Sequence, residues 1–190
     1  MSRRLEPDSA LARKVFPSPN HGERRLPVSA LILHYTGMPT SEGALRLLCD
    51  PVAEVSAHYF VEESGRILQL VPEARRAWHA GKSSWAGETD LNSASIGVEI
   101  VNPGHEGGCP PFPAPQIAAV IALAQDVARR HAIPAHRVLA HSDVAPGRKR
   151  DPGEVFPWDV LHAAGVGHWI APAPWAPGPA FEPGALGPPV

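Results

Sequence analysis

The sequence predicts a mixed α/β single domain, in which a central, mostly mixed β-sheet is flanked by helices. Short apolar runs rich in β-branched residues alternate along the chain with segments of helical periodicity. Two of these runs flank the short, Gly-containing connection 63–65, which predicts a β-hairpin within the sheet. The 190 residues exceed a typical domain of about 150 only slightly, so we expect one domain rather than two.

The predicted strands follow the apolar runs. The run 28–33 begins after Pro27, is nearly all apolar as a buried central strand would be, and ends at His34. The remaining strands are predicted at 58–62 and 66–71, which form the hairpin, and at 96–101 and 137–140. Helical spacing of apolar residues predicts helices at 41–49, 115–131 and 158–164.

The chain divides by composition into three parts. We expect an N-terminal extension over 1–26, a folded domain over 27–170 and a tail over 171–190. The tail holds seven prolines and three glycines and lacks any regular period, so we expect extended conformations, with Trp175, Phe181 and Leu186 as its apolar anchors.

Charge and cysteine usage exclude several classes of protein. A net charge of −2, with no long basic run, gives no electrostatic footprint for nucleic acid, and no apolar stretch approaches the ~20 residues of a membrane span. The two cysteines, Cys49 and Cys109, lie too far apart for a Cys-x-x-Cys pair. No apolar segment typical of a signal peptide follows Arg3-Arg4, so we expect a cytoplasmic, monomeric protein with reduced thiols.

Two histidines and a carboxylate form a candidate metal site. His34 and His141 each follow an apolar strand, and Asp151 comes ten residues after the second histidine. Two imidazoles and a carboxylate are a ligand set of catalytic zinc, with one position left for water. The alternative is that these histidines are hydrogen-bonded surface residues at strand ends, and spacing alone leaves both interpretations open.

Five ordered blocks between about Leu31 and Trp158 resemble the zinc-dependent N-acetylmuramoyl-L-alanine amidase family. They are His34-Tyr35-Thr36, Val55-Ser56-Ala57-His58-Tyr59-Phe60-Val61, Ala77-Trp78-His79-Ala80-Gly81, Ser95-Ile96-Gly97-Val98-Glu99-Ile100, and the run from His141 to Gly153. The resemblance implies the fold shared with peptidoglycan recognition proteins, a catalytic domain over 27–170, and Zn²⁺ bound by His34, His141 and Asp151.

The resemblance also implies two catalytic residues. Glu99 interrupts an apolar strand, where a carboxylate is either exposed or functional, and its family equivalent is an acid/base beside the zinc water. Lys149, taken alone, is a solvated charge between Arg148 and Arg150. The family motif Lys-x-Asp-Pro-Gly instead assigns it to the negative oxygen of the intermediate. If the segment is extended, Lys149 points the same way as Asp151, while Arg148 and Arg150 alternate away from Lys149.

Substrate contacts are predicted at Tyr35, His79 and Ala80. Tyr35 either lines the groove or caps the core, whereas His79 and Ala80 belong to a block that resembles groove wall. We expect His58 to be structural and Asp143 to hydrogen-bond backbone within its turn. For the remaining histidines we expect no more than solvation or core packing: His21, His105, His131, His136, His162 and His168.

The implied reaction is hydrolysis of the amide between N-acetylmuramic acid, or its 1,6-anhydro form, and the L-Ala of the stem peptide, as in peptidoglycan recycling. Two alternatives remain: an exported or phage-type amidase that acts on intact peptidoglycan, and a non-catalytic peptidoglycan-binding protein of the same fold. The sequence retains every ligand as well as Glu99 and Lys149, which favours an enzyme. In cytoplasmic recycling amidases we would expect Asn after the first ligand; Tyr35 is more like the exported branch.

Overall fold

The structure is a computed structural model that describes residues 6–174. Its main sheet has six strands in the order β1-β5-β4-β7-β3-β8, and a separate two-stranded ribbon joins β2 to β6. The strands are β1 (Lys14–Val15), β2 (His21–Glu23), β3 (Ala30–Tyr35), β4 (Tyr59–Val61), β5 (Ile67–Gln69), β6 (Arg75–Ala77), β7 (Ser95–Ile100) and β8 (Val138–Ala140). The helices are α1 (Ser41–Cys49), α2 (Leu91–Ala94), α3 (Ala114–His131), α4 (His141–Val144) and α5 (Trp158–Ala163).

The main sheet is mixed, as predicted. Strands β4 and β5 form the antiparallel hairpin, while β4, β7, β3 and β8 run parallel to one another. The central position of β3, between β7 and β8, agrees with its nearly continuous apolar run. Because β3, β7 and β8 are parallel, their carboxyl ends lie at the same edge of the sheet, where the polar residues that follow them meet.

Each face of the sheet has its own packing partners. Leu31 and Leu33 face the larger core. Helices α3 and α5 cover this core with apolar side chains, among them Ile117, Val120, Leu123, Val127 and Leu161. Ile32 points to the other face and packs against Ala80, Leu91, Leu139 and Val144. The period of two along β3 therefore directs His34, two residues after Ile32, to this second face.

Helix α1 has the predicted bounds, and α3 begins one residue before its predicted start and ends as predicted. The hydroxyl of Thr40 caps α1 by accepting the amide hydrogen of Gly43 at 3.1 Å. Helix α3 has a proline in its first turn and ends at His131, and the capping residue Ala132 has a left-handed backbone. No helix within residues 6–174 has both the length and the apolar character needed to cross a membrane.

The predicted N-terminal extension contributes two strands to the fold. β1 pairs with β5 at the edge of the main sheet, and β2 pairs with β6. The boundaries 1–26, 27–170 and 171–190 themselves stay predictions. The anchors proposed for the tail, Trp175, Phe181 and Leu186, lie outside the described residues.

Candidate metal centre and active-site groove

The structure brings His34, His141 and Asp151 together at the carboxyl edge of the parallel strands. His34 Nδ1 lies 2.9 Å from His141 Nδ1, and each of these nitrogens lies 3.0 Å from Asp151 Oδ2. All three residues are buried, with exposed fractions of 1%, 3% and 6%. They line a groove of about 350 Å³. The alternative that the two histidines are surface residues at strand ends is therefore wrong.

Local structure explains how the three side chains meet. His34 lies near the end of β3, whereas His141 begins α4 directly after β8. The chain then turns back, and Ser142 donates its amide hydrogen to the carbonyl of Asp151 at 3.0 Å. Asp143 accepts the amide hydrogen of Ala140 at 2.8 Å, so it supports this turn as expected rather than joining the cluster.

The donor set and its spacing fit a zinc ion. A tetrahedral site with bonds of about 2.0–2.1 Å places neighbouring ligand atoms about 3.3–3.4 Å apart, slightly wider than the separations in this cluster. Small outward shifts of the three side chains would reach that spacing. Within residues 6–174 no lysine or arginine forms an ion pair with Asp151; its partners are the two histidines.

The protonation states also favour metal binding. Burial lowers the pKa of His34 to about 4, and the neighbouring His141 adds to this effect, although Asp151 opposes it. Burial by itself would raise the pKa of Asp151, but the close contacts of its carboxylate with His141 and His34 outweigh burial and hold the pKa below its usual value. A neutral imidazole and an ionised carboxylate are the forms that coordinate metals.

Glu99 lies beside the cluster, on the same face of the sheet. It is the register partner of His34 across β7 and β3, and it lines the groove. Its Oε2 is buried and has no hydrogen-bond partner among the described residues. Burial raises the pKa of Glu99 well above its usual value, Asp151 adds to the rise, and Lys149 opposes it. A half-buried carboxylate at the edge of a groove, with one oxygen unpaired among the described residues, is able to exchange protons with a bound molecule.

Lys149 lines the groove. The prediction that Arg148 and Arg150 point away from it is wrong. Arg148 and Arg150 line the same groove. The segment turns after α4, with the amides of Arg148 and Lys149 both bonded to Ala145 O, so its side chains do not alternate as in a strand. Arg148 is not simply solvated, because its guanidinium donates to the carbonyls of Lys82 and Ala80.

Tyr35 both lines the groove and packs against the larger core, which unites its two predicted placements. Its hydroxyl lies 2.8 Å from His105 Nδ1, and His105 Nε2 lies 2.8 Å from Glu154. Burial raises the pKa of Tyr35. The sequence predicts only solvation or core packing for His105, because no local pattern indicates this contact with Tyr35.

His79 and Ala80 lie closer to the ligands than to open groove. His79 lines the groove but is buried, and its ring lies between His34 and Ser95. Ala80 is fully buried and is not among the residues that line the groove, so its position does not support substrate contact by its side chain. Its carbonyl instead lies 3.1 Å from His141 Nε2. Sequence spacing gave no sign of either contact.

His58 is buried away from the cluster and has structural partners, in keeping with the prediction. Its Nδ1 accepts the amide hydrogen of Gly97 at 2.9 Å, and its Nε2 lies 3.1 Å from the carbonyl of Arg75. Burial lowers the pKa of His58 to about 3, and the nearby Arg24 guanidinium lowers it further. The ring therefore stays neutral and links β7 to β6.

Comparison with known proteins identifies relatives. AmiD of Escherichia coli (strain K12), an N-acetylmuramoyl-L-alanine amidase, is 42% identical over 154 residues, which cover 75% of this chain and 55% of AmiD. AmpD of Enterobacter cloacae, a 1,6-anhydro-N-acetylmuramyl-L-alanine amidase, is 37% identical over 110 residues, which cover 57% of this chain and 56% of AmpD. The chain thus spans about half the length of these two relatives.

A solved structure and a family model agree with these relatives. The complex of E. coli AmiD with the substrate anhydro-N-acetylmuramic acid-L-Ala-D-gamma-Glu-L-Lys superimposes with a TM-score of 0.70 at 38% identity, and covers 88% of this chain and 63% of that one. The predicted fold class is therefore confirmed. The family model for N-acetylmuramoyl-L-alanine amidase matches residues 24–154, which hold all three members of the metal cluster as well as Glu99 and Lys149. Since this match covers more than half of the chain, the protein belongs to the N-acetylmuramoyl-L-alanine amidase family.

Proposed function

We propose that this protein is a zinc-dependent N-acetylmuramoyl-L-alanine amidase. Its substrate is the amide between the lactyl group of N-acetylmuramic acid, or its 1,6-anhydro form, and the L-Ala of the stem peptide. The observation that carries the proposal is the juxtaposition, in one groove, of the cluster His34, His141 and Asp151 with the carboxylate of Glu99, whose Oε2 has no partner within residues 6–174. Family membership and the AmiD complex support the substrate class.

His34, His141 and Asp151 are the residues that hold the zinc in this proposal. When bound, zinc supplies Lewis-acid chemistry, which polarises a carbonyl and lowers the pKa of water. His34 contributes a neutral nitrogen donor and Asp151 contributes one negative charge. Because all three side chains are buried, they are held in place before a substrate enters the groove.

Glu99 carries the proton in the proposed mechanism. As the attacking water adds to the amide carbon, Glu99 accepts a proton from it and then delivers that proton to the departing nitrogen of L-Ala. A raised pKa suits the first step, because it makes the carboxylate a stronger base towards the water, and the amine of L-Ala is basic enough to take the proton in the second step. The position of Glu99 next to His34 in the sheet fixes its distance from the metal centre.

Lys149 stabilises charge in the same mechanism. Negative charge develops on the amide oxygen as the tetrahedral intermediate forms, and a cation on the groove wall stabilises it. Lys149 opposes the raised pKa of Glu99, which places its charge within electrostatic reach of that carboxylate. Arg148 is less suited to this role, because its guanidinium is already bonded to two carbonyls.

The groove wall accounts for substrate binding. Tyr35 contributes an aromatic ring to the groove, and Leu47, Val55 and Trp78 provide further apolar surface. We assign Tyr35 to the substrate, and His79 and Ala80 to the support of the ligands. The groove of about 350 Å³ is large enough for the lactyl, L-Ala and neighbouring groups of a muropeptide.

The natural substrates in this proposal are soluble muropeptides or peptidoglycan fragments, including 1,6-anhydro-muropeptides, and the protein acts as a cytoplasmic monomer in cell-wall recycling. Cys49 and Cys109 are free thiols, as is usual in a reducing compartment. Intact peptidoglycan is the alternative substrate, because Tyr35 follows the first ligand and the chain is similar to AmiD. It must therefore be compared with soluble muropeptides.

Incubation of the purified protein with each substrate tests the proposal. We expect zinc-dependent release of the stem peptide from 1,6-anhydro-N-acetylmuramyl peptides, detected by mass spectrometry as a new L-Ala amino terminus. In parallel, intact sacculi should release peptide much more slowly. Absence of cleavage of both substrates by the zinc-loaded protein would contradict amidase activity, whereas faster cleavage of sacculi would contradict the recycling role.

A further inference from the structure

The far nitrogens of both cluster histidines have partners within one segment. His34 Nε2 lies 3.0 Å from His79 Nδ1, and His141 Nε2 lies 3.1 Å from the carbonyl oxygen of Ala80. We call residues 78–81, which contain both partners, the strap. Asn92 holds the strap in place, because its Oδ1 accepts the amide hydrogens of His79 and Ala80 at 2.9 and 2.7 Å.

The partner of His141 determines its tautomer. A carbonyl oxygen accepts hydrogen bonds and has no hydrogen to donate. The proton of a neutral His141 ring therefore resides on Nε2, where it is donated to Ala80 O, and Nδ1 keeps its lone pair. That lone pair points to the centre of the cluster, 3.0 Å from Asp151 Oδ2.

The tautomer of His34 depends on a longer chain of hydrogen bonds. The hydroxyl of Ser95 has one hydrogen, which it donates to the carbonyl of Leu91. Ser95 Oγ must then accept from His79 Nε2, which lies 3.3 Å away. With its proton on Nε2, His79 offers Nδ1 as an acceptor, so His34 donates from Nε2 and its Nδ1 is left with a lone pair.

We propose that Ser95 and His79 are positioning residues that select the metal-binding tautomer of His34, in a relay that starts at the carbonyl of Leu91. The relay rests on the proposed zinc centre, because it prepares His34 Nδ1 for the same ion. Reversal of its polarity would put a proton on His34 Nδ1, where it would compete with the metal. Ser95 and His79 therefore act through His34 without touching the substrate.

The relay is shielded from bulk water. Ser95 is fully buried and His79 is 8% exposed, so bulk water has little access to either partner. A metal-bound histidine most often donates its other nitrogen to a carboxylate, carbonyl or water. Here the acceptor for His34 is a second imidazole, whose own direction is fixed by Ser95.

A pair of neighbouring buried serines tests the relay. Ser95→Ala removes the group that orients His79, and we expect the zinc dissociation constant, measured by competition with a chelator, to rise about tenfold, the lower end for loss of such a supporting partner. Ser93→Ala is the matched control, since Ser93 is also fully buried but accepts from the amide of Arg25. Equal zinc affinity of the two variants would overturn the relay.

Substitution of His79 provides a rescue. His79→Asn can present an amide oxygen where Nδ1 lies and should keep zinc affinity within a few-fold of the original, whereas His79→Leu has no acceptor and should lose roughly 10- to 100-fold. Thermal unfolding of the metal-free variants separates this loss from general destabilisation. Zinc binding by His79→Leu that equals that of His79→Asn would contradict the proposal.

Nuclear magnetic resonance of the metal-free protein separates the relay from the zinc centre. Long-range ¹H–¹⁵N correlations report which ring nitrogen carries the proton, and we expect His34 to be protonated at Nε2 in the unaltered protein and in Ser93→Ala. In Ser95→Ala a mixture of tautomers should appear. If His34 is protonated at Nδ1 in the unaltered protein, the relay is wrong; if the tautomer is as expected but zinc does not bind, the proposed metal centre is wrong instead.

Discussion

Gly97 and His79 approach each other so closely that no side chain fits at position 97. A Cβ built on Gly97 would lie 2.4 Å from the ring of His79, far inside normal contact distance. Since Gly97 lies in β7 and is not among the glycines with positive φ, this glycine serves to make space for the ring rather than to permit an unusual backbone. The sheet thereby leaves room for the imidazole that contacts His34.

We expect Gly97→Ala to lower both stability and metal affinity. The added methyl group must displace His79 or bend β7, and overpacking of this kind costs about 1–3 kcal/mol in the free energy of unfolding. Displacement of His79 also removes the partner of His34 Nε2, so zinc affinity should fall. Chemical denaturation and chelator competition measure the two effects.

Gly22→Ala is the control for this substitution. The nearest atom to a Cβ at Gly22 is Trp78 Nε1, at an ordinary 3.8 Å, and Gly22 also lies in a strand. The zinc affinity of the Gly22→Ala variant should stay unchanged. An unaltered zinc affinity in Gly97→Ala as well would contradict the role assigned to this contact.

Sequence periodicity predicted the elements that have a strong apolar pattern. The alternation along 96–101 placed Ile96, Val98 and Ile100 on one face and Glu99 on the other, and the structure has these three residues in the larger core while Glu99 lines the groove. The same reasoning located α3, whose buried face repeats every three to four residues. Local pattern sufficed because each of these elements buries one continuous face.

Elements that depend on distant partners were missed. β1, β2 and β6 have only two or three residues each and include Lys14, Glu23 and Arg75, so their sequences have no apolar alternation to detect. They form because other strands supply their hydrogen-bond partners: β1 pairs with β5, and β2 pairs with β6. The contacts of His79 and Arg148 were missed for a related reason, since they join segments that are distant in sequence.

Metal content tests the ligand assignment. The protein should bind about one zinc ion, and a chelator should remove it with all hydrolytic activity, which added zinc should restore. His141→Ala takes one nitrogen from the cluster and should lose both metal and activity. His136→Ala, in the short turn before β8, should lose neither. Full hydrolysis by the metal-free protein would contradict the assignment.

Substitution of Glu99 separates catalysis from metal binding. Glu99→Gln keeps the shape of the side chain but removes the proton-accepting carboxylate, so turnover should fall roughly 10²- to 10⁴-fold while zinc content stays the same. The melting temperature should not fall, because the buried Oε2 has no partner to lose among the described residues. Loss of zinc in Glu99→Gln would instead identify Glu99 as a ligand.

The two neighbouring cations Lys149 and Arg150 allow a matched test of charge stabilisation. Both line the groove and both are exposed, but the mechanism uses only Lys149. Lys149→Ala should lower kcat about 10²- to 10³-fold, as expected for removal of one group that stabilises an oxyanion, with little change in zinc content. Arg150→Ala should retain most activity. Equal losses in steady-state kinetics would indicate a general effect of positive charge.

Glu73 contacts the last turn of α3 and makes the free energy of unfolding depend on pH. Its carboxylate is buried and accepts hydrogen bonds from Tyr59, Arg130 and, where that ring carries a proton, His131 Nε2. Burial alone would raise the pKa of Glu73, but these partners, Arg130 first, outweigh burial and lower the pKa to about 2. An unfolded chain would titrate this group near its ordinary pKa of about 4.3.

This difference fixes the direction of the pH dependence. Between about pH 4.3 and 2 the unfolded chain binds a proton that the folded protein does not, so the contribution of Glu73 is complete above that window and is lost as the pH falls through it. With a folded pKa of about 2, its size is about 3 kcal/mol.

Glu73→Gln should therefore be less stable at pH 7 and show a flatter acid limb in denaturant titrations from pH 7 to 2. Glu42→Gln, which removes an exposed partner of Arg46, should leave the curve unchanged. A steep acid limb that persists in Glu73→Gln would show that other carboxylates control acid unfolding.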